Sequence, residues 1–148
     1  MVELDREEIS IREAREADAE ALALLVGELG YPTTAAIARE RFNDLAEAGD
    51  CLLVAVDQAK VIALVVLHRT RFLHRPADGR IATLVVSDAY RGRGVGGQLL
   101  EAAEAIFRQW GCERIEVSSG AQREAAHRFY IRAGYSEQPK RFIKLLAQ

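Results

Sequence analysis

Apolar and polar residues alternate at Ile9, Ser10, Ile11 and Arg12, the period of a short strand with one buried face. The period then lengthens. Leu22, Leu25, Val26 and Leu29 fall on one stripe of a helix that Asp18 is placed to cap and that Gly30 and Pro32 stop. Ala38, Phe42 and Leu45 mark a second helix, capped by Thr33 or Thr34 and ended by Gly49. The runs 51–56 and 61–67 are apolar almost throughout and meet at a turn around Asp57 and Gln58. They read as an antiparallel pair with helices over both faces. A polar stretch holding Pro76, Asp78 and Gly79 leads to a third such run at 81–86.

A glycine-rich segment at 91–97 then opens a helix in which Leu99, Leu100, Ala103, Ile106, Phe107 and Trp110 keep the 3.6-residue period, with Gly111 past its end. A strand at 115–117, a helix at about 123–132 stopped by Gly134, and a last strand at 142–146 complete the order β-α-α-β-β-β-α-β-α-β. That order predicts an α/β fold: a single mixed, mostly antiparallel sheet flanked by helices on both faces. With 148 residues and no repeat, linker or biased tract, the expectation is one domain spanning 1–148.

Composition narrows the class. Hydrophobic residues are 49% and charged residues 28%, values that exclude disorder and low complexity. The net charge of −2 hides an asymmetry: residues 1–90 carry 10 Lys/Arg against 16 Asp/Glu, residues 91–148 carry 10 against 6. An anionic ligand would prefer the second part, while nucleic acid and anionic membrane are not expected partners. Cys51 and Cys112 lie at no metal-ligand spacing, so no metal is expected. Two cysteines are too few for a disulfide framework. The N-terminus is acidic, unlike a signal peptide, and no apolar run approaches the ~18 residues that span a bilayer, so a cytoplasmic setting is expected.

The segment Arg91, Gly92, Arg93, Gly94, Val95, Gly96 and Gly97 lies between an apolar strand and an amphipathic helix. Unpaired backbone N–H groups and the positive end of the helix dipole point there at one spot, an arrangement that holds phosphate. Glycine allows oxygens to approach the backbone and permits positive φ. The segment can also be a turn that only starts a helix. A Walker loop is excluded because no Gly-Lys-Ser/Thr follows. Gly92, Gly94 and Gly97 satisfy G-x-G-x-x-G with Glu116 as a candidate ribose ligand, which leaves a dinucleotide-binding protein as an alternative. Against it, residues 87–91 separate strand from first glycine where a tight turn is needed.

Leu84-Val85-Val86, then Arg91-x-x-Gly94-x-Gly96, then Ala126-His127-Arg128-Phe129-Tyr130 with Gly134-Tyr135 resembles the GNAT superfamily of acyl-CoA-dependent N-acyltransferases, and the resemblance spans almost the whole chain. It implies acetyl-CoA as co-substrate. The coenzyme A pyrophosphate would lie on backbone amides of 91–97, and the pantetheine arm would pair like an extra strand with the backbone of Leu84, Val85 and Val86. A splay between that strand and 115–117 would form the slot. The resemblance also implies a small-molecule or peptide amine as acceptor, bordered by residues near Gly30-Tyr31-Pro32-Thr33 and the stretch 68–80, and homodimers are common in the family.

Tyr130 matches the family tyrosine that donates to the departing thiolate, although it also reads as a core aromatic beside Phe129. A phenol of pKa about 10 protonates a thiolate of about 8.5 at a cost of roughly 2 kcal/mol, so hydrogen bonding is the first expectation. An amine of pKa about 10.4 is only about 0.04% neutral at pH 7, a deficit near ~4.6 kcal/mol that a base or water relay must remove. Many family members place a glutamate where this chain has Ala82, leaving His68, His74, Asp88 or an ordered water. Arg123 replaces a family asparagine near the cofactor and reads either as a cofactor- or substrate-contacting cation or as a solvated residue. The activity expected is acetyl transfer to a primary amine by direct attack. A non-catalytic acyl-CoA-binding sensor is the alternative that Ala82 suggests.

Overall fold

A computed structural model describes residues 9–118, 124–138 and 141–147. It divides into two units, Met1–Ser118 and Ser119–Gln148. In the first, strand β1 (Ile9–Glu13) is followed by helices α1 (Ala19–Glu28) and α2 (Ala35–Glu47). Strands β2 (Cys51–Asp57), β3 (Lys60–Thr70) and β4 (Asp78–Val86), helix α3 (Val95–Gln109) and strand β5 (Arg114–Val117) come next. The strands lie side by side in chain order. β1 to β4 form an antiparallel meander, and β5 joins β4 in parallel through the crossover helix that such a connection requires. A dinucleotide-binding fold needs a parallel sheet, so the G-x-G-x-x-G reading of Gly92, Gly94 and Gly97 is set aside.

The continuous apolar runs are explained by two covered faces. Leu64 pairs with Val54 and Val85, and these pack with Val66 and with Leu22 and Leu25 of α1 in one layer. Ala63, Val65 and Leu67 alternate with them on β3 and face the other way. There α3 lies, burying Val95, Leu99, Leu100, Ala103 and Phe107. Each such side chain contributes roughly 1.5–3 kcal/mol when fully buried, which makes this double layer the main source of stability.

Local signals were mostly read correctly, with instructive exceptions. Thr34 caps α2 by accepting from the Ile37 N–H at 3.1 Å. Asp18 stands at the start of α1 but does not cap it. Its carboxylate turns back to the Arg15 N–H at 2.7 Å and to the Arg12 guanidinium at 2.8 and 3.0 Å. The β2–β3 turn places Gln58 and Ala59 at φ 47° and 71°, a left-handed pair more easily made by Asn-Gly. β4 begins three residues earlier than its apolar run, because Asp78 is buried between arginines and Gly79 lies under a ring.

In the second unit, α4 (Glu124–Arg132) ends at Gly134 with φ 97°, and the Tyr135 N–H returns to the Tyr130 carbonyl at 3.0 Å. The strand expected at 142–146 is not formed. Those residues carry no ladder pairing, and Phe142 and Leu146 are each 95% exposed. An apolar run becomes a strand only when an edge accepts it, and composition does not supply the edge. No helix among the described residues is long and apolar enough to cross a membrane.

Gly79 provides a test of the α3 packing. A Cβ there would lie 2.5 Å from Phe107 Cγ and 2.8 Å from Cε1, inside a buried ring with no room to swing. Gly79→Ala should therefore lower unfolding stability by about 1–3 kcal/mol in urea titration, and the penalty should shrink in a Phe107→Leu background.

Candidate functional site

The candidate site begins where the described pairing of β4 with β5 ends. Asp78, Gly79, Arg80 and Ile81 pair in parallel with Arg114, Ile115, Glu116 and Val117, and the last bond runs from the Ser118 N–H to the Ile81 carbonyl at 3.5 Å. Just beyond, Ala82 is an extra residue: Ile81 pairs with Leu67 and Thr83 with Val66, so β4 bulges. The Ser87 N–H donates to the Ile62 carbonyl at 2.9 Å, which fixes the alternation along β4. Val85 and Thr83 bond β3, while Leu84 and Val86 turn their backbone groups away from it, toward the edge on which β5 pairs lower down. The Val86 carbonyl accepts from Arg91 Nε at 3.2 Å. Among the described residues the Leu84 N–H, the Leu84 carbonyl and the Val86 N–H are left for an extended partner, and such groups require one.

The glycine-rich loop follows directly. Gly92 and Gly94 take φ 78° and 82°, which a residue with a Cβ adopts only under strain. Gly94 begins α3 with no side-chain cap, and the first helical bond runs from the Gln98 N–H to the Gly94 carbonyl at 3.1 Å. The amides of Val95, Gly96 and Gly97 thus have no helical partner, and the dipole's positive end reinforces them. Val95, 1% exposed, anchors this end in the core. A Cβ on Gly97 would meet nothing within 4 Å, so that glycine faces open space.

Side chains hold the loop in place. Arg91 pairs with Asp88 at 2.5 Å, and Arg93 lies over the Tyr90 ring at 5.4 Å. The Tyr90 hydroxyl donates to Asp57 Oδ2 at 2.6 Å, which raises the phenol above its ordinary pKa and ties the loop to the β2–β3 turn. The Asp88 N–H donates to Glu28 Oε1 at 3.3 Å, a second tie, to the end of α1.

The zipped part of the β4–β5 pair rests on Asp78, 1% exposed. Arg75 donates to it at 2.6 and 3.1 Å, and Arg114 Nε at 3.1 Å to both oxygens. The hydrogen bonds from Arg75 hold the Asp78 carboxyl below the ordinary carboxylate value. This cluster has no signal in the sequence, because Pro76, Asp78 and Gly79 read as a polar stretch and Arg114 is remote in the chain. Tyr90 and Asp57 were missed for the same reason.

The remaining candidates separate clearly. Tyr130 is half-buried on α4, edge-on to Phe129 at 5.1 Å and to Tyr135 at 5.6 Å, and burial pushes its phenol up to about 12. Arg123 lies outside the described residues. Ala82 is exposed. His74 sits edge-on to Phe72 at 5.5 Å, whereas His68 Nδ1 lies 3.1 Å from Asp50 Oδ2. Burial raises the Cys112 thiol, as it does Cys51, to about 11 in the latter, so neither is an activated nucleophile.

Comparison with known proteins bears on this geometry. Residues 11–135 match the model of the acetyltransferase (GNAT) family. The chain is 40% identical over 94 residues to an aminoalkylphosphonate N-acetyltransferase from Salmonella typhimurium, a match covering 63% of this chain and 61% of the relative; the chain thus spans about three fifths of that relative's length. A GNAT family acetyltransferase from Staphylococcus aureus superposes with TM-score 0.80 at 26% identity, covering 94% of this chain and 99% of that one. An aminoglycoside N-acetyltransferase solved in complex with CoA shares the fold with TM-score 0.83 at 14% identity, over 94% and 95% of the two chains.

Because the folded Asp78 carboxyl titrates below its unfolded value near 3.8, its stabilisation is complete above that value and is lost as pH falls through and below it. Asp78→Asn should cost about 1.5–3 kcal/mol at pH 7, and the gap from wild type, measured by urea unfolding, should narrow as pH is lowered below about 4.

Proposed function

We propose, from the premise that this chain belongs to the GNAT family of acetyltransferases, that it transfers an acetyl group from acetyl-CoA to a primary amine by direct attack on the thioester. The observation that carries the reading is the edge of β4. Leu84 and Val86 offer backbone donors and an acceptor in extended alternation, and the uncapped amides of Gly96 and Gly97 lie at the next turn of the chain. An amide-bearing arm that ends in a diphosphate fits that sequence of groups: strand-like pairing first, then anion binding at a helix N-terminus. Family members use acetyl-CoA, which has this construction.

In this reading a backbone N–H of the open edge polarises the thioester carbonyl, and Arg91 and Arg93 contribute positive charge near the diphosphate. Tyr130 donates a hydrogen bond to the departing sulfur. With its phenol raised to about 12, full proton transfer to a thiolate of pKa about 8.5 would cost about 5 kcal/mol, so stabilisation by the hydrogen bond is its role. The family match runs from 11 to 135 across both units, which supports treating them as one acetyltransferase domain. Free Cys51 and Cys112 agree with a reducing, cytoplasmic setting.

The acceptor is a small molecule or a peptide amine. The relative that acts on aminoalkylphosphonates makes small amines carrying an anionic group the first to test. A second reading, an acyl-CoA sensor without turnover, is favoured by the missing carboxylate at Ala82.

The deciding experiment follows free thiol as the protein meets acetyl-CoA and a panel of aminoalkylphosphonates, polyamines and peptides. Thiol release with an acetylated amine supports the enzyme; stabilisation by acetyl-CoA with no product from any amine supports the sensor. Tyr130→Phe should lower kcat about 10- to 100-fold with little change in KM for acetyl-CoA. Gly97→Ala should have the opposite profile. It should fold at least as stably as wild type, since alanine gains up to ~1 kcal/mol in a helix, yet raise KM for acetyl-CoA about 10-fold or more by filling the open space.

A further inference from the structure

Acetyl transfer as read above leaves one step without an agent. An alkyl ammonium must lose a proton before it attacks, and Ala82 carries no carboxylate. Ala82 is the bulged residue of β4, and β3 runs straight past it, so His68 lies two residues along from Val66 and on the same face, the one covered by α1. Its cross-strand partner is Arg80, two residues from the bulge. His68 is therefore the histidine closest in register to the point where β4 opens.

Its surroundings suit a base. The side chain is 28% exposed, and Nδ1 is held 3.1 Å from Asp50 Oδ2, itself 19% exposed. A ring bonded to a carboxylate through Nδ1–H keeps its lone pair on Nε2. The other charged group facing it is Arg80 across the ladder. That guanidinium is directed to Ser118 Oγ at 2.9 Å and to Glu116 at 3.7 Å. From α1, apolar Leu22 and Leu25 cover the neighbouring part of this face. His74 has no acidic partner among its described contacts, and Asp88 is committed to Arg91.

We propose that His68 is the general base of the reaction and that Asp50 is the positioning residue that orients it. The proposal rests on the acetyltransferase reading above. The ammonium gives one proton to Nε2, directly or through one water, and the freed nitrogen pair forms the C–N bond. As the C–S bond breaks, the second amine proton goes to the departing sulfur. The imidazolium then releases its proton to solvent, so that ammonium and thioester become amide, thiol and one proton.

The test is the pH profile of kcat at saturating acetyl-CoA with an amine that wild type acetylates. His68→Asn retains a donor to Asp50 but no base, and His68→Gln serves if that variant folds poorly by circular dichroism. Expected for either is a fall in kcat of about 100-fold or more near neutral pH, displacement of the acid limb to higher pH so that activity recovers partly there or with added imidazole, and unchanged CoA affinity by calorimetry. Asp50→Asn should retain the limb with kcat about 10-fold down. Retention of kcat within twofold, or an acid limb that stays in place in both His68 variants, overturns the proposal while leaving the acetyltransferase reading intact. Failure of wild type to acetylate any amine overturns that reading and the proposal together.

Discussion

Backbone N–H and carbonyl groups that leave water need partners, and among the described residues one stretch of strand has none. Among the described residues β5 pairs with β4 as far as Ile81, and the bulge at Ala82 interrupts the strand, beyond which Leu84 and Val86 face away from β3. The rest of the site follows from that interruption. The strand's open edge leads into a turn fastened by Tyr90 to Asp57 and by Asp88 to Glu28, and the turn delivers the uncapped amides of α3. Asp78 with its two arginines holds the described part of the β4–β5 pair together.

A binding surface made of backbone has consequences for sequence. It asks for glycine where φ is positive, at Gly92 and Gly94, and for absence of a side chain at Gly97, where the proposed reading puts the diphosphate. It asks little of Leu84, Val85 and Val86 beyond β character and burial. In the proposed reading, selectivity for the acceptor falls to side chains elsewhere, on the face of the sheet that carries His68 and Arg80.

This division explains what could be read from the sequence. β2, β3 and α3 announced themselves through long apolar runs and a 3.6-residue stripe, since their burial on the sheet is what selected those residues. The glycine loop was legible because its conformation demands a residue type. The start of β4 was not: Asp78 and Gly79 belong to a strand only because Arg114 and Phe107 come to them from far along the chain. Asp18 was placed correctly at a helix start but is occupied by Arg12, and an expected strand at 142–146 found no edge. Equally, three candidate bases looked alike in sequence, and only the contact between His68 and Asp50 set one apart. Local conformational demands are written in single residues, whereas pairings between distant charges and edges are not.

Amide hydrogen exchange across β4, measured by NMR with and without CoA, probes the open edge itself. Binding should slow exchange at Leu84 and Val86, whose N–H groups face the gap, and leave Thr83 and Val85, already bonded to β3, unchanged. Unaltered exchange at Leu84 and Val86 under saturating CoA would contradict the account.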